Sequence, residues 1–195
     1  RSCLVGSEMC IRDSFLYYLI TMDINKIAKN IDAEKKFPPV HLWNPKICPG
    51  VSFKIDRDGN WYYQGSIISK HKLKLLFASI LKKENNKYYC VTPVEKVLVE
   101  VDIAPYVITS FIYNDGIYTF KTNLDYSFDL LTNEDLKVIT TSKGENIPIV
   151  TVRDEIEGFF SRSTFYELVD HAINNFDQNG KSLFILSNNK KFYLS

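Results

Sequence analysis

Apolar and polar positions fall into two rhythms along this chain. Ile24, Ile27, Ala28 and Ile31 recur at helical spacing, which predicts a helix over 23–36 stopped by Pro38-Pro39. Val51, Phe53 and Ile55 alternate with Ser52, Lys54 and Asp56, the pattern of a half-buried strand. Asp58-Gly59 predicts a hairpin turn, because such a turn needs positive φ, and Trp61-Tyr62-Tyr63 is the returning strand. Ser69 is placed to cap a helix reaching about Lys83, with Leu73, Leu76, Phe77, Ile80 and Leu81 as its buried stripe. Strands over 87–92 and 95–101 follow.

The C-terminal end repeats this order. A strand over 149–152 leads through Arg153-Asp154, which echoes Arg57-Asp58, to Phe159-Phe160, which echoes Tyr62-Tyr63. Ser161 caps a second helix with stripe Phe165, Leu168, Val169, Ala172 and Ile173. Strands over 182–186 and 191–194 close a hairpin at Asn188-Asn189. Each end therefore reads strand, turn, strand, helix, strand, strand, and matched order favours duplication over coincidence. Between the copies, strands over 106–113 and 117–122 flank the hairpin signal Asn114-Asp115-Gly116, and 126–131 and 136–140 add strands. The pattern predicts an α+β, β-rich protein of two related modules, with an N-terminal domain over 22–99 and a C-terminal domain over 100–195. Modules of this size are marginal alone and should share an interface, and a cleft between domains is the default place for a ligand.

Composition narrows the class. The 195 residues carry 24 Lys+Arg against 23 Asp+Glu, a net charge of +1, with 45% apolar and 24% charged residues. That excludes a disordered tail, and the small net charge disfavours nucleic acid because it supplies little counterion release. A local stripe of Lys70, Lys72, Lys74, Lys82 and Lys83 is the one argument on the other side. No apolar run is long enough for a membrane helix. Residues 1–14 resemble the conceptual translation of a sequencing adapter, Glu8-Met9-Cys10-Ile11-Arg12-Asp13-Ser14 being the recognisable part, and 15–21 read as translated upstream DNA with Met22 as the start. Cys48 and Cys90 then remain without a metal-binding spacing, which fits a reduced, cytoplasmic protein.

Candidate chemistry is sparse. No nucleophile elbow, phosphate loop or dinucleotide fingerprint occurs, the three histidines at 41, 71 and 171 do not space as metal ligands, and no motif calls for a cofactor. His171 lies off the apolar stripe of its helix and is expected to face water. The strongest oddity is the start of the first long helix, where Lys70, His71, Lys72 and Lys74 oppose the macrodipole. Free backbone N–H groups with Lys70 would make an anion site there; the alternative is a solvated basic face. Arg162 repeats the theme after the second cap. Arg153 and Arg162 could converge on phosphate or carboxylate, or pair with Asp154, Glu155 or Glu157. His41, Trp43 and Asn44 combine stacking surface with polar ends, or pin a linker to the core. Lys96 beside Glu95 reads as a structural ion pair, and Asn123 as a turn residue.

The motifs His41-Leu42-Trp43-Asn44-Pro45, Asp58-Gly59-Asn60-Trp61-Tyr62-Tyr63-Gln64-Gly65-Ser66 and Thr92-Pro93-Val94-Glu95-Lys96 resemble the bacterial family called domain of unknown function 1285. Phe120-Lys121-Thr122-Asn123, Ser161-Arg162 and Tyr166-Glu167-Leu168-Val169 extend the likeness from about Phe37 to the C-terminus. The resemblance implies two domains with a duplicated core, the second superficially like a pleckstrin-homology fold. It also implies a nucleotide-like ligand at the domain interface in a signalling role, with no established activity. Lys70 departs from the arginine usual in the family and lacks its bidentate fork. On these grounds His41, Trp43, Asn44, Lys70, Lys96, Asn123, Arg153, Arg162 and Tyr166 are the candidate binding residues. The expected function is non-enzymatic binding of a small anionic ligand between the domains. A protein-interaction module with no small ligand is the alternative.

Overall fold

The computed structural model describes residues 37–132, 135–141, 144–173 and 182–194. The predicted helix over 23–36 and the segment 1–21 lie outside the described residues. A 3-10 turn, Val40–Leu42, opens the described chain.

The first sheet contains β1 (Phe53–Ile55), β2 (Trp61–Tyr63), β3 (Ser66–Ile67), β4 (Leu81–Glu84), β5 (Lys87–Val91) and β6 (Lys96–Val101), in the order β3-β2-β1-β6-β5-β4. Helix α1 (His71–Ser79) joins its two halves. The second sheet contains β7 (Tyr106–Asn114), β8 (Ile117–Thr122), β9 (Ser127–Asp129), β10 (Leu136–Thr140), β11 (Asn146–Arg153) and β12 (Ile156–Phe160), in the order β10-β11-β12-β7-β8-β9. Helix α2 (Arg162–Ala172) follows, then a separate hairpin of β13 (Phe184–Ser187) and β14 (Lys190–Tyr193).

The two-module reading holds, but the repeat that relates the modules is not the one read from the sequence. Each sheet is a pair of three-stranded meanders joined by one parallel ladder. In the first, Phe53 faces Val99; in the second, Gly158 faces Tyr106. The six-strand unit β1–β6 therefore matches β7–β12. The local order read at each end is not reproduced: β3 stands between β2 and α1, three strands follow α1, and β13–β14 forms its own sheet where β4–β5 joins β6, so α1 lies inside its six-strand unit while α2 follows the second. Parallel pairing joins strands far apart in sequence and leaves no local signal.

Two boundaries differ from the sequence reading. Lys70, not Ser69, is the N-cap of α1, in extended conformation and without a capping side-chain hydrogen bond. The helix ends at Ser79 rather than near Lys83, because Leu81–Glu84 pairs with Lys87–Cys90 across Asn85-Asn86. Both asparagines have positive φ (50° and 59°), a hairpin turn hidden behind apolar residues at helical spacing. The Ser161 cap is as read: its Oγ accepts from the Thr164 N–H.

One apolar cluster runs through both sheets. Phe53, Ile55, Trp61 and Phe77 in the first module are continuous with Tyr106, Ile108, Phe120 and Phe160 in the second. Phe77 packs edge-on against Phe53 at 4.8 Å, and Phe120 against Phe160 at 5.2 Å. Each such ring contributes about 1.5–3 kcal/mol by leaving water. Gly59 shows how tightly the modules meet. It has φ +78°, and a Cβ there would lie 2.4 Å from Val107 Cγ2 of β7.

The candidate site at the seam between the modules

Among the described residues, the ion pairs that cross the seam share one sense: the first module supplies the base and the second the acid. In the interior, Glu157 of β12 is buried and accepts from Lys83 Nζ of β4 and from the Tyr88 hydroxyl of β5, with Lys137 Nζ at 3.4 Å. Burial pushes the Glu157 carboxyl up, but the hydrogen bonds from Lys83 and Tyr88 and the charges of Lys83 and Lys137 outweigh it and hold it below the usual carboxylate range. The Tyr88 phenol is pushed up by burial and by its bond to Glu157, so it stays protonated and donates. At the rim, His71 Nε2 lies 2.7 Å from Asp125 Oδ2, and Arg57 Nη2 donates to Glu145 Oε2 at 3.0 Å.

Helix α1 is held by the second module at both ends. Asp125 meets its first residue. At its end, Arg153 Nη2 donates to the Ala78 carbonyl at 2.5 Å, while Nε donates to the Tyr106 hydroxyl at 3.1 Å and Nη1 to Asp154 at 2.8 Å. The Phe37 ring covers the guanidinium at 3.9 Å. A cation at a helix C-terminus and a carboxylate at its N-terminus both complement the macrodipole. The start of α1 has no acid in its first turn, so the acid comes from the β8–β9 turn of the other module.

The nine candidate residues divide accordingly. Lys70 is the N-cap of α1, next to His71, and Asn123 lies two positions before Asp125 in the turn that meets His71. Asn123 Oδ1 accepts from the Val107 N–H at 3.1 Å, and its own N–H donates to the Val107 carbonyl, which is turn duty within the second module. Arg153 lies at the far end of α1, about 12 Å away at 1.5 Å per residue, so it shares no pocket with Lys70. Lys96 is buried and pairs with Glu84 at 2.7 Å, not with Glu95, and sits over the Tyr89 ring. Lys82 joins the same network, donating to Glu84 and to the Trp43 carbonyl, so Trp43 pins its segment to the core while His41 and Asn44 are exposed beside it. Arg162 and Tyr166 are exposed on α2. The lysine stripe is broken by the same pairings: Lys82 and Lys83 face Glu84 and Glu157, leaving Lys70, Lys72 and Lys74.

Three features escaped the sequence reading. The Glu157 cluster had no signal beyond a carboxylate in an apolar strand. His171 is exposed as a residue, yet its ring meets Phe111, Tyr113 and Tyr118 edge-on, with Nδ1 3.2 Å from the Tyr118 hydroxyl. Burial, with a smaller effect of Tyr113, pushes that phenol up to about 12. A recess of ≈ 400 Å³ lies on the outer face of the first sheet, lined by Lys54, Asp56, Tyr62 and Glu100 among others. Asp56 there is already committed, accepting from the Asp58 and Asn60 N–H groups, the Asn60 amide and the Tyr62 hydroxyl. Among the described residues, no three His, Cys, Asp or Glu side chains group as a metal site, and no helix is long and apolar enough to cross a membrane.

Duplicated six-strand sheets sharing one core, with a charge-paired seam, define a two-module β-rich protein. Two family models divide the chain at the same seam: residues 38–104 match the N-terminal domain, and residues 105–194 the C-terminal domain, of the domain of unknown function DUF1285. The chain belongs to the DUF1285 family. It is similar to the crystal structure of a family protein from Silicibacter pomeroyi DSS-3, with 33% identity and TM-score 0.73 over 86% of this chain and 93% of that one. A family protein from Shewanella baltica OS155 matches with 27% identity and TM-score 0.52, over 60% of this chain and 90% of that one. No curated protein matches the chain.

Proposed function

We propose that this protein is a non-enzymatic binding protein that takes a small anionic, nucleotide-like ligand at the rim of the seam, at the start of α1, and acts in signalling. One observation carries the reading: a helix N-terminus with no side-chain cap and no acid in its first turn carries Lys70, His71, Lys72 and Lys74. Residues 70, 71 and 74 share a helix face by their spacing. Such a terminus favours anions. The site lies where two modules meet, so occupancy can be felt by both. A thermal-shift screen with nucleotides and phosphorylated metabolites tests it. A ligand at a hundred times its Kd should raise Tm by roughly 5–10 °C. No shift across the panel, or a shift that survives Lys70→Met with His71→Gln, would remove the reading.

A second reading, a protein-docking module with no small ligand, draws on exposed Ile47, Val94 and Leu98 around the start of β6. It is favoured if the panel gives no shift while a purified partner protein protects these side chains.

A further inference from the structure

The sheet of the first module ends in a strand whose outer side is unpaired among the described residues, and we infer that this edge docks an extended acidic segment of a partner protein as a further strand. β3 forms the edge and pairs only with β2. The Ile68 N–H donates to the Trp61 carbonyl at 2.7 Å, so Tyr62 and Ile67 stand opposite each other as a pair with no hydrogen bond between them. The N–H and C=O of Ile67 therefore point away from the sheet. Two positions on, the backbone groups of Ser69 have no partner among the described residues, and Lys70 is extended. Alternate residues thus offer donors and acceptors along one side, the template for strand addition.

The other edges are covered. The Val40–Leu42 turn packs on β4, β14 lies against β10, and Ser187 of β13 donates to the Leu130 carbonyl just past β9. β3 carries neither the proline nor the charge that commonly guards an edge. Ile67 is instead an exposed apolar side chain (59%) on the same face as Tyr62. The recess lined by Tyr62 and Gly65 opens on that face and leaves room for a side chain of the added strand. Charge selects the partner. Lys70, Lys72 and Lys74 follow the edge directly and make no ion pair among the described residues, while Asp125 is taken by His71. A segment with acids beside these lysines and an apolar residue facing Ile67 complements the edge in charge and in polarity. Antiparallel pairing, the more stable kind, places the acids first in that segment. Lys70 also belongs to the small-anion reading, but strand addition needs no small ligand.

The test is fluorescence anisotropy of the full chain with a labelled synthetic peptide of acidic residues followed by alternating valine and threonine. Ile67→Lys and Ile67→Pro place a charge or a proline at an exposed edge position whose N–H makes no bond within the sheet, so both should fold. Either should weaken the peptide by about tenfold or more. Lys70→Gln with Lys72→Gln and Lys74→Gln should weaken it about fivefold, and added salt should act in the same direction. The same peptide with its backbone amides N-methylated should not bind, since it cannot donate to the edge. Parent-like affinity in folded Ile67→Lys, or binding of the N-methylated peptide, would overturn strand addition; with the lysine variant still weakened, the small-anion reading would stand. No binding of the peptide to the parent chain would overturn the acidic partner.

Discussion

The interior and the rim of the seam both pair a base of the first module with an acid of the second but differ in exposure. Glu157 is 5% exposed, and its partners Lys83 and Tyr88 enclose it. Asp125 and Glu145 at the rim are about half-exposed and each meets one base of the first module. Water screens the rim pairs, so either partner can be lost at small cost. In the interior, losing Lys83 leaves a buried carboxylate with only the more distant Lys137, at 3.4 Å, as its cation. Burial thus separates a contact that fixes the modules from contacts that can be exchanged.

The largest expected effect comes from breaking the interior. Lys83→Met should destabilise the protein by about 3–4 kcal/mol, measured by urea unfolding, because Glu157 loses its buried counter-ion and keeps only the exposed Lys137. Replacing both residues by apolar ones of similar volume should recover much of that loss, since no charge is then stranded. A smaller effect is expected at Gly59. Gly59→Ala should cost roughly 2–3 kcal/mol, because its Cβ would meet Val107 Cγ2 at 2.4 Å and the residue has positive φ. A cost near zero would mean that the hairpin moves freely over β7.

The acid limb of stability sharpens the same contrast. The Glu157 carboxyl titrates lower in the folded protein than unfolded, so its contribution is present above the unfolded value and is lost as pH falls through the folded one. Glu157→Gln should therefore be less stable at neutral pH and should flatten the fall in stability below about pH 4. An unchanged acid limb would assign that slope to other carboxylates.

Much of the fold was legible because its signals are local. Asp58-Gly59, Asn114-Asp115-Gly116 and Asn188-Asn189 mark hairpins through the φ their turns need, and Ser161 marks a helix start through its hydroxyl. Asn85-Asn86 carries the same signal, but Ile80 and Leu81 continue the stripe of α1 and disguise the strand behind it. The parallel ladders were not legible, since each joins residues more than forty positions apart. At the candidate site, the basic start of α1 was visible as an electrostatic misfit, and the structure supplies an acid for it. That the acid is Asp125 depends on a turn in the other module. Arg153 was visible as a cation, whereas its cap on α1 depends on how the modules pack.

Two double-mutant cycles compare the seam's interior and rim directly: Lys83→Met with Glu157→Gln, and His71→Gln with Asp125→Asn, each followed by urea unfolding at neutral pH. A coupling of about 2 kcal/mol or more is expected in the interior and under about 1 kcal/mol at the rim. Equal couplings, or the larger one at the rim, would contradict the division of the seam into a fixed interior and an exchangeable edge.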